Sequence, residues 1–79
     1  MNCDEISLNK LPIGKKANVA MLMSDGATRR RMLDLGIIYG TEIKPLYQSP
    51  SGNPVAYLIR GAVIALRSDV SEKIIMSLP

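Results

Sequence analysis

The chain has 79 residues, 47% of them hydrophobic and 22% charged, and a formal net charge of +3. This length allows a single domain, residues 1–79, and the composition is that of a globular protein, which excludes a disordered chain. His is absent and Cys3 is the only cysteine. These absences exclude an internal disulfide, a Cys/His zinc site within one chain and the commonest acid–base catalyst.

The polar, acidic N-terminus bears on where the protein resides. Residues 1–5 lack the basic start and apolar run of a signal peptide, and we expect them to form a disordered tail. The longest apolar runs, such as 55–59 and 62–66, have five residues each and are far too short to span a membrane. A lone cysteine suits a reducing compartment. We therefore expect a cytoplasmic protein with no direct membrane insertion.

The N-terminal part is predicted to form a turn and then a strand. Residues 6–11 form a short turn capped by Ser7, with Leu8 and Leu11 directed inward. Residues 16–23 alternate in the way of a strand with one buried face. The inward residues of that strand are Ala17, Val19, Met21 and Met23.

A single helix is predicted within residues 24–40, the stretch around which the rest of the chain is organised. Ser24 or Asp25 can cap its start, and Gly36 provides the left-handed residue that ends it. Thr28, Met32 and Leu35 share the inward face, which Leu33 widens, whereas Arg30 and Asp34 face water. The exit, residues 36–40, encloses three apolar residues between two glycines, and we expect these three to pack on the strands.

The remaining chain is predicted to form three strands and one helical turn. The strand over 41–47 contains Pro45, which cannot donate to a ladder, so the strand lies at an edge or is bulged. After a loop over 49–54, strands 55–60 and 63–67 are joined by a two-residue turn with Gly61 first. Residues 68–71 form one helical turn, and 73–78 form the last strand.

These elements predict a mainly β protein. Five short strands with one helix inserted between the first two indicate a small antiparallel barrel. The strands over 55–60 and 63–67 are almost wholly apolar on both faces, which places them at the centre of the sheet. The strand that contains Pro45 is then peripheral, and an exposed edge strand would allow a homodimer.

The sequence shows no catalytic constellation. Asp4 and Glu5 lie in the predicted tail, and no glycine-rich phosphate loop is present. Cys3 with its acidic neighbours is a weak metal-ligand set, and a loose N-terminus with a free thiol is the better interpretation. Four methionines, at inward positions, are expected to fill the core and not to bind a soft metal. They are Met21, Met23, Met32 and Met76.

Arg29, Arg30 and Arg31 form the densest cluster of charge. On a helix they point about 100° apart, so they cannot form one flat basic patch. Arg31 borders the apolar arc, Arg30 faces solvent, and Arg29 leans toward the edge of the core. The cluster is either a solvated flank or a partner-binding surface. Nucleic-acid binding is the weaker interpretation, because the three aromatic residues are all Tyr and form no stripe with basic residues.

Four motifs, in order and spacing, resemble the FeoA family over about residues 6–77. They are Leu11-Pro12-Ile13-Gly14; Arg31-Met32-Leu33-Asp34-Leu35-Gly36-Ile37 followed by Gly40-Thr41-Glu42-Ile43; Ser51-Gly52-Asn53-Pro54-Val55; and Ile64-Ala65-Leu66-Arg67. Met32 stands where the family usually has Leu, and Tyr39 where Pro is common. The resemblance implies an SH3-like barrel with an inserted helix, similar to the C-terminal module of iron-dependent repressors.

The same resemblance implies a function and a partner. FeoA proteins are non-catalytic partners of FeoB, a membrane permease with a cytosolic GTP-binding domain, and no cofactor is expected. On this basis we expect a regulator of ferrous iron uptake that reaches the inner face of the membrane through FeoB. The alternative is a small basic SH3-like barrel that binds nucleic acid. The residues expected to contact the partner are Arg30, Arg31, Met32, Leu33, Leu35, Ile38 and Tyr39.

Overall fold

The computed structural model describes residues 4–78, and the order of their elements matches the predicted mainly β chain. A 3₁₀ turn over Leu8–Lys10 follows the first strand. In chain order the other elements are β1 (Glu5–Ser7), β2 (Ala17–Leu22), α1 (Gly26–Asp34), β3 (Glu42–Gln48), β4 (Val55–Ile59), β5 (Ala62–Leu66), α2 (Ser68–Ser71) and β6 (Ile74–Ser77).

Within the described residues the strands form one antiparallel sheet in the order β1-β6-β2-β3-β4-β5. The mainly β prediction is confirmed, with one strand more than expected. The additional strand, β1, pairs with β6 from Glu5 opposite Ser77 to Ser7 opposite Ile75. The backbone oxygen of Asp4 also accepts the Leu78 N–H at 2.7 Å. The expected disordered tail is therefore wrong at residues 4 and 5, while residues 1–3, including Cys3, lie outside the described part of the chain.

A bulge in β2 corrects the predicted inward face of that strand. Its register with β6 shifts between Val19 and Met21, and a one-residue shift reverses the side of the sheet that later side chains face. Ala17 and Val19 are buried as predicted, but Met21 and Met23 are 54% and 59% exposed. The assignment of these two methionines to the core is wrong.

The strand with Pro45 is bulged but not peripheral. β3 lies between β2 and β4 in the sheet, and its register with β4 shifts between Pro45 and Tyr47. The bulge accommodates a residue that cannot donate a ladder hydrogen bond. The expected central position of the next two strands is wrong for β5, which lies at the end of the sheet.

The turn between β4 and β5 lies one residue earlier than predicted. Because Ile59 pairs with Ala62, the two turn residues are Arg60 and Gly61 and not Gly61 and Ala62. Both have positive φ, 52° and 83°, as a type I′ hairpin turn requires. A non-glycine residue in this conformation is uncommon, and the two-residue turn imposes it on Arg60.

The core is formed mainly by strand residues, to which the 3₁₀ turn adds Leu8 and α1 adds Met32, and it is built almost entirely from aliphatic side chains. Leu8 and Leu11 are buried as predicted, although the Ser7 side chain makes no capping hydrogen bond. Tyr57 is the one aromatic residue among the buried hydrophobic residues. The full set is Leu8, Leu11, Ala17, Val19, Met32, Ile37, Ile43, Ala56, Tyr57, Ile59, Leu66, Ile74 and Met76.

Candidate partner-binding surface

The start of α1 is not capped as the sequence predicted. Asp25 occupies the N-cap position with an extended backbone, but its side chain makes no capping hydrogen bond. The Ser24 hydroxyl donates instead to the Met32 sulfur at 3.2 Å. The capping prediction is therefore wrong for both side chains, and Ser24 ties the segment before α1 to a buried residue within it.

The end of α1 is a Schellman motif centred on Gly36. The Gly36 N–H donates to the Leu33 carbonyl at 3.0 Å, and the Ile37 N–H donates to the Met32 carbonyl at 2.9 Å. This pair of bonds defines the motif, which places a left-handed residue just after the C-cap. Gly36 has a φ of +86°, so the predicted role of this glycine is confirmed.

The exit from α1 is held against the sheet by Thr41. Its buried hydroxyl donates to the Gly36 carbonyl at 3.0 Å and accepts the Ile38 N–H at 3.1 Å. The Gly40 N–H donates to the Val19 carbonyl at 2.8 Å. These bonds give the exit a fixed shape, so that the side chains it carries are presented from a rigid support.

The seven predicted contact residues divide by burial. Met32 is 1% exposed and belongs to the core, and Leu35 is half-buried against it. A buried side chain cannot anchor a partner on the outer surface, so Met32 is corrected to a structural role. The exposed members are Arg30, Arg31, Leu33, Ile38 and Tyr39, the last of them 83% exposed.

The exposed members do not form one continuous face. Met32 marks the inward direction of α1, and successive residues turn by about 100°. Arg31 and Leu33 therefore project to opposite flanks, and Arg30 lies on the outer side between them. The helix offers two surfaces, one beside Arg31 and one beside Leu33.

The surface beside Arg31 is a cleft that the sequence did not predict. Its volume is about 330 Å³. α1 forms one wall, and the end of β5 together with α2 forms the other. The lining residues are Thr28, Arg31, Met32, Leu35, Ala65, Leu66, Arg67 and Val70. The sequence signalled each wall separately, as an amphipathic helix and as an apolar strand before a helical turn, but it contained nothing that placed them face to face.

The basic residues of α1 carry charge that the described chain does not neutralise. Among residues 4–78, the ion pairs are Lys16 with Glu42 at 3.9 Å and Arg67 with Asp69 at 3.7 Å, all four side chains being exposed. Arg30 and Asp34, four residues apart, form no such pair. Such exposed pairs contribute little to stability. The basic side chains of α1 take part in neither pair, so their positive charges remain available to a partner.

The described residues contain neither a cluster of metal-binding side chains nor a helix that could span a membrane. Between residues 4 and 78, no group of three or more His, Cys, Asp or Glu side chains comes together. In the same residues, no helix has the length and apolar character needed to cross a membrane. Of the three tyrosines, Tyr57 is buried, whereas Tyr39 and Tyr47 are exposed on separate elements.

Comparisons with known proteins agree on one family. A profile of the FeoA domain matches residues 6–78. The NMR structure of a FeoA-like protein from Clostridium acetobutylicum is 32% identical, with a TM-score of 0.87 over 99% of this chain and 90% of that one. The FeoA protein from Chlorobium tepidum is 31% identical, with a TM-score of 0.85 over 94% of this chain and 71% of that one.

A third structure identifies the type of fold. FeoA from Stenotrophomonas maltophilia, crystallised with zinc, is described as a procaryotic SH3 domain protein and a candidate activating factor of bacterial ferrous iron transport. It is 24% identical, with a TM-score of 0.81 over 91% of this chain and 89% of that one. The present sheet with its inserted helix thus has the expected SH3-like fold. No curated protein matches the sequence significantly.

Proposed function

Since this chain belongs to the FeoA family, whose members are connected with ferrous iron transport, we propose that it is a non-catalytic regulator of ferrous iron uptake. It binds the cytosolic region of a FeoB-like permease and thereby acts at the inner face of the membrane. The protein itself is cytoplasmic. It takes part in uptake through contact with its partner and carries out no chemistry of its own.

One observation carries the proposal: α1 and its exit carry basic side chains that form no ion pair within residues 4–78 together with exposed apolar side chains, with Arg30 on the outer side of α1 between Arg31 and Leu33. Arg30 and Arg31 have no ion-pair partner among the described residues. Leu33, Ile38 and Tyr39 are exposed on the same helix and exit. Interfaces favour Arg and aromatic residues, and charge at the rim accelerates association while apolar anchors hold the complex.

The decisive test replaces both arginines. The double variant Arg30→Glu/Arg31→Glu should fold, because exposed substitutions of this kind usually cost less than about 0.5 kcal/mol each. Its affinity for the isolated permease cytosolic domain, measured with and without GTP, should fall at least tenfold. The difference from wild type should be larger at low salt, where charges are least screened.

A matched control makes the same change of charge elsewhere. Lys10 and Lys73 are exposed and line a different groove, so Lys10→Glu/Lys73→Glu should bind the permease domain almost as well as wild type. Circular dichroism checks the fold of both variants. Equal loss in the two double variants would indicate a general charge effect, and a folded α1 variant with full affinity would contradict the proposed surface.

Two other predictions need separate measurements. If the protein bound nucleic acid instead, its affinity for generic DNA or RNA would fall steeply with salt concentration, because phosphate binding releases counterions. We expect no measurable binding at physiological salt.

The homodimer allowed by an exposed edge strand stays a prediction, which sedimentation of the full chain over a range of concentrations tests.

A further inference from the structure

The open edge of β5 lacks the features with which proteins usually protect a strand edge. β5 lies at the end of the sheet, and residues 62–66 include neither a charge nor a proline. Its pairing with β4 is regular from Ile59–Ala62 to Val55–Leu66, with no bulge. Val63, the second residue of the strand, is 58% exposed. Natural edge strands carry charges, prolines or bulges because an unprotected edge pairs with other chains.

The hairpin geometry shows which backbone groups are free. In a two-residue hairpin, the pair that flanks the turn exchanges both hydrogen bonds, and bonded and non-bonded pairs then alternate along the strands. The flanking pair is Ile59 with Ala62. Val63 and Ala65 therefore direct their N–H and C=O groups away from β4, toward the open edge. Among residues 4–78, no turn or loop hydrogen bond reaches these groups.

The cleft beside Arg31 lies at the C-terminal end of this same edge. Ala65, Leu66 and Arg67 all line it, although successive residues of a strand point to opposite faces. Ala65 and Leu66 are the last two residues of β5 and Arg67 follows the strand, so a cleft that both strand residues line lies at the edge of β5 and not over one face. The opposite wall is α1, so the end of a free strand edge and a helix together form a slot with a mostly apolar lining.

The charges around the slot indicate what it accepts. Arg31 and Arg67 are its only charged lining residues, and both are positive. Arg67 contacts Asp69 at 3.7 Å, but both side chains are more than 70% exposed, so a second acidic group can compete at little cost. A copy of this chain, with its net charge of +3, is a poorer match than an acidic partner.

We propose that the slot binds an extended acidic segment of a partner protein, which adds to β5 as a further strand. Backbone hydrogen bonds to Val63 and Ala65 hold the segment, apolar side chains at alternate positions enter the cleft, and acidic groups meet Arg31 and Arg67. This goes beyond permease binding through α1. A peptide tests it with no permease present, so failure of either proposal leaves the other standing.

The test uses the full chain and the synthetic peptide acetyl-Asp-Val-Ser-Val-Ser-Val-Asp-amide. Titration followed by ¹⁵N–¹H NMR should show saturable shifts at Val63, Ala65 and Arg67, and at Arg31 across the slot. The same peptide with Lys in place of Asp should bind at least tenfold more weakly at low salt. Shifts located elsewhere, equal binding of the Lys peptide, or no saturable binding would overturn the proposal.

Three protein variants separate edge pairing from nonspecific binding. Ala65→Pro removes the Ala65 N–H, which faces the open edge, and leaves every N–H that bonds to β4 in place. Edge strands tolerate proline at such positions. Ala65→Pro should weaken peptide binding at least tenfold. Arg31→Glu should also weaken binding at least tenfold. Arg29→Glu, which makes the same change on the same helix away from the slot, should leave binding unchanged, and equal losses would overturn the proposal.

Methylated peptides keep the test valid if Ala65→Pro does not fold. In a strand, the backbone N–H groups of alternate residues point to the same side. One version methylates the valine nitrogens and the other methylates the serine nitrogens. One version should lose binding and the other should keep it. Equal behaviour of the two peptides, or shifts in β5 that arise from self-association without peptide, would contradict the proposal.

Discussion

A side chain at Gly36 would meet two obstacles, the positive φ of the backbone and the exposed, movable side chain of Arg60. The Gly36 φ of +86° disfavours any residue with a side chain, and a Cβ built there would lie 2.5 Å from the Cδ atom of Arg60. Gly40 has nearly the same φ, +88°, but open space around it. The two glycines therefore allow backbone strain to be separated from the contact with Arg60.

We predict that Gly36→Ala lowers the free energy of unfolding by more than Gly40→Ala does. The backbone cost alone is about 1 kcal/mol at each site, and the contact with Arg60 adds to it only at Gly36. Gly36→Val should cost more still, since a β-branched residue fits positive φ poorly. Urea denaturation of the variants measures these differences.

The Arg60→Ala background provides the control. Removing the Arg60 side chain should bring the cost of Gly36→Ala close to that of Gly40→Ala. If the excess persists without Arg60, the contact does not explain it. Unchanged stability of Gly36→Ala and Gly36→Val would show that α1 does not require a left-handed residue there.

Tyr57 makes stability depend on alkaline pH. Burial raises the pKa of Tyr57 above its ordinary value of 10.0, and a hydrogen bond with Ser71 opposes that shift in part. The folded state therefore favours the neutral phenol. Its contribution to stability is complete below a pH of about 10, the pKa of an unfolded tyrosine, and is lost as the pH rises through the folded pKa.

We predict that the stability of wild type falls more steeply above pH 10 than that of Tyr57→Phe. Urea denaturation from pH 8 upward measures both profiles. Tyr39→Phe is the matched control, because its ring is exposed, and its profile should parallel that of wild type. A Tyr57→Phe profile parallel to wild type would mean that burial of this phenol has no thermodynamic effect.

At the scale of the element, the exit from α1 depends on one hydroxyl. Thr41 bonds to Gly36 and Ile38 at once, and it is among the few buried polar residues of the described chain. Because the exit carries Ile38 and Tyr39, its rigidity determines how these side chains are presented. This link connects the stability of a single turn to the proposed interface.

We predict that Thr41→Val, which keeps the shape and removes both hydrogen bonds, destabilises the protein by about 1–3 kcal/mol. Thr41→Ser keeps the hydroxyl and loses one methyl group, worth about 0.8 kcal/mol. Thermal unfolding compares the two variants. An equal or larger loss for Thr41→Ser would show that packing, and not hydrogen bonding, holds the exit.

At the scale of the whole molecule, the prediction of no intrinsic metal site remains to be tested. The chain has no His and one Cys, and residues 4–78 gather no cluster of three metal-binding side chains. Anaerobic calorimetric titration with Fe²⁺ should detect no binding in the micromolar range, which corresponds to about −8 kcal/mol. Zn²⁺ should behave in the same way.

Cys3→Ser is the control for this titration. Binding that this variant abolishes would assign the metal to the N-terminal thiol. A tight stoichiometric metal site would contradict the prediction, whether it depends on Cys3 or not. A metal shared between two molecules, detected as dimerisation upon addition of metal, would not.

The end of α1 and the presence of several strands followed from the sequence, because interactions between residues close in the chain control them. Gly36 ends a helix because only a glycine adopts its φ cheaply, and this follows from the local pattern. Alternation around Ile43 and the apolar residues around Ile59 and Ile74 predicted strands, because alternation and β-branched residues favour a half-buried pleated chain. Four motifs in register, one of them around Gly36 and Gly40, also indicated the family, which the comparisons confirmed.

Only the tertiary structure decided which element lies where. Pro45 can lie in an interior strand because a bulge accommodates a residue with no N–H to donate. Met21 faces outward because a second bulge changes the side of the sheet to which the following side chains point. Both bulges depend on pairing with strands distant in sequence, which local patterns do not encode. The cleft is the same case: Arg31 lies on α1 and Arg67 follows β5, and they meet only because long-range packing brings an apolar strand to the open edge of the sheet beside the helix.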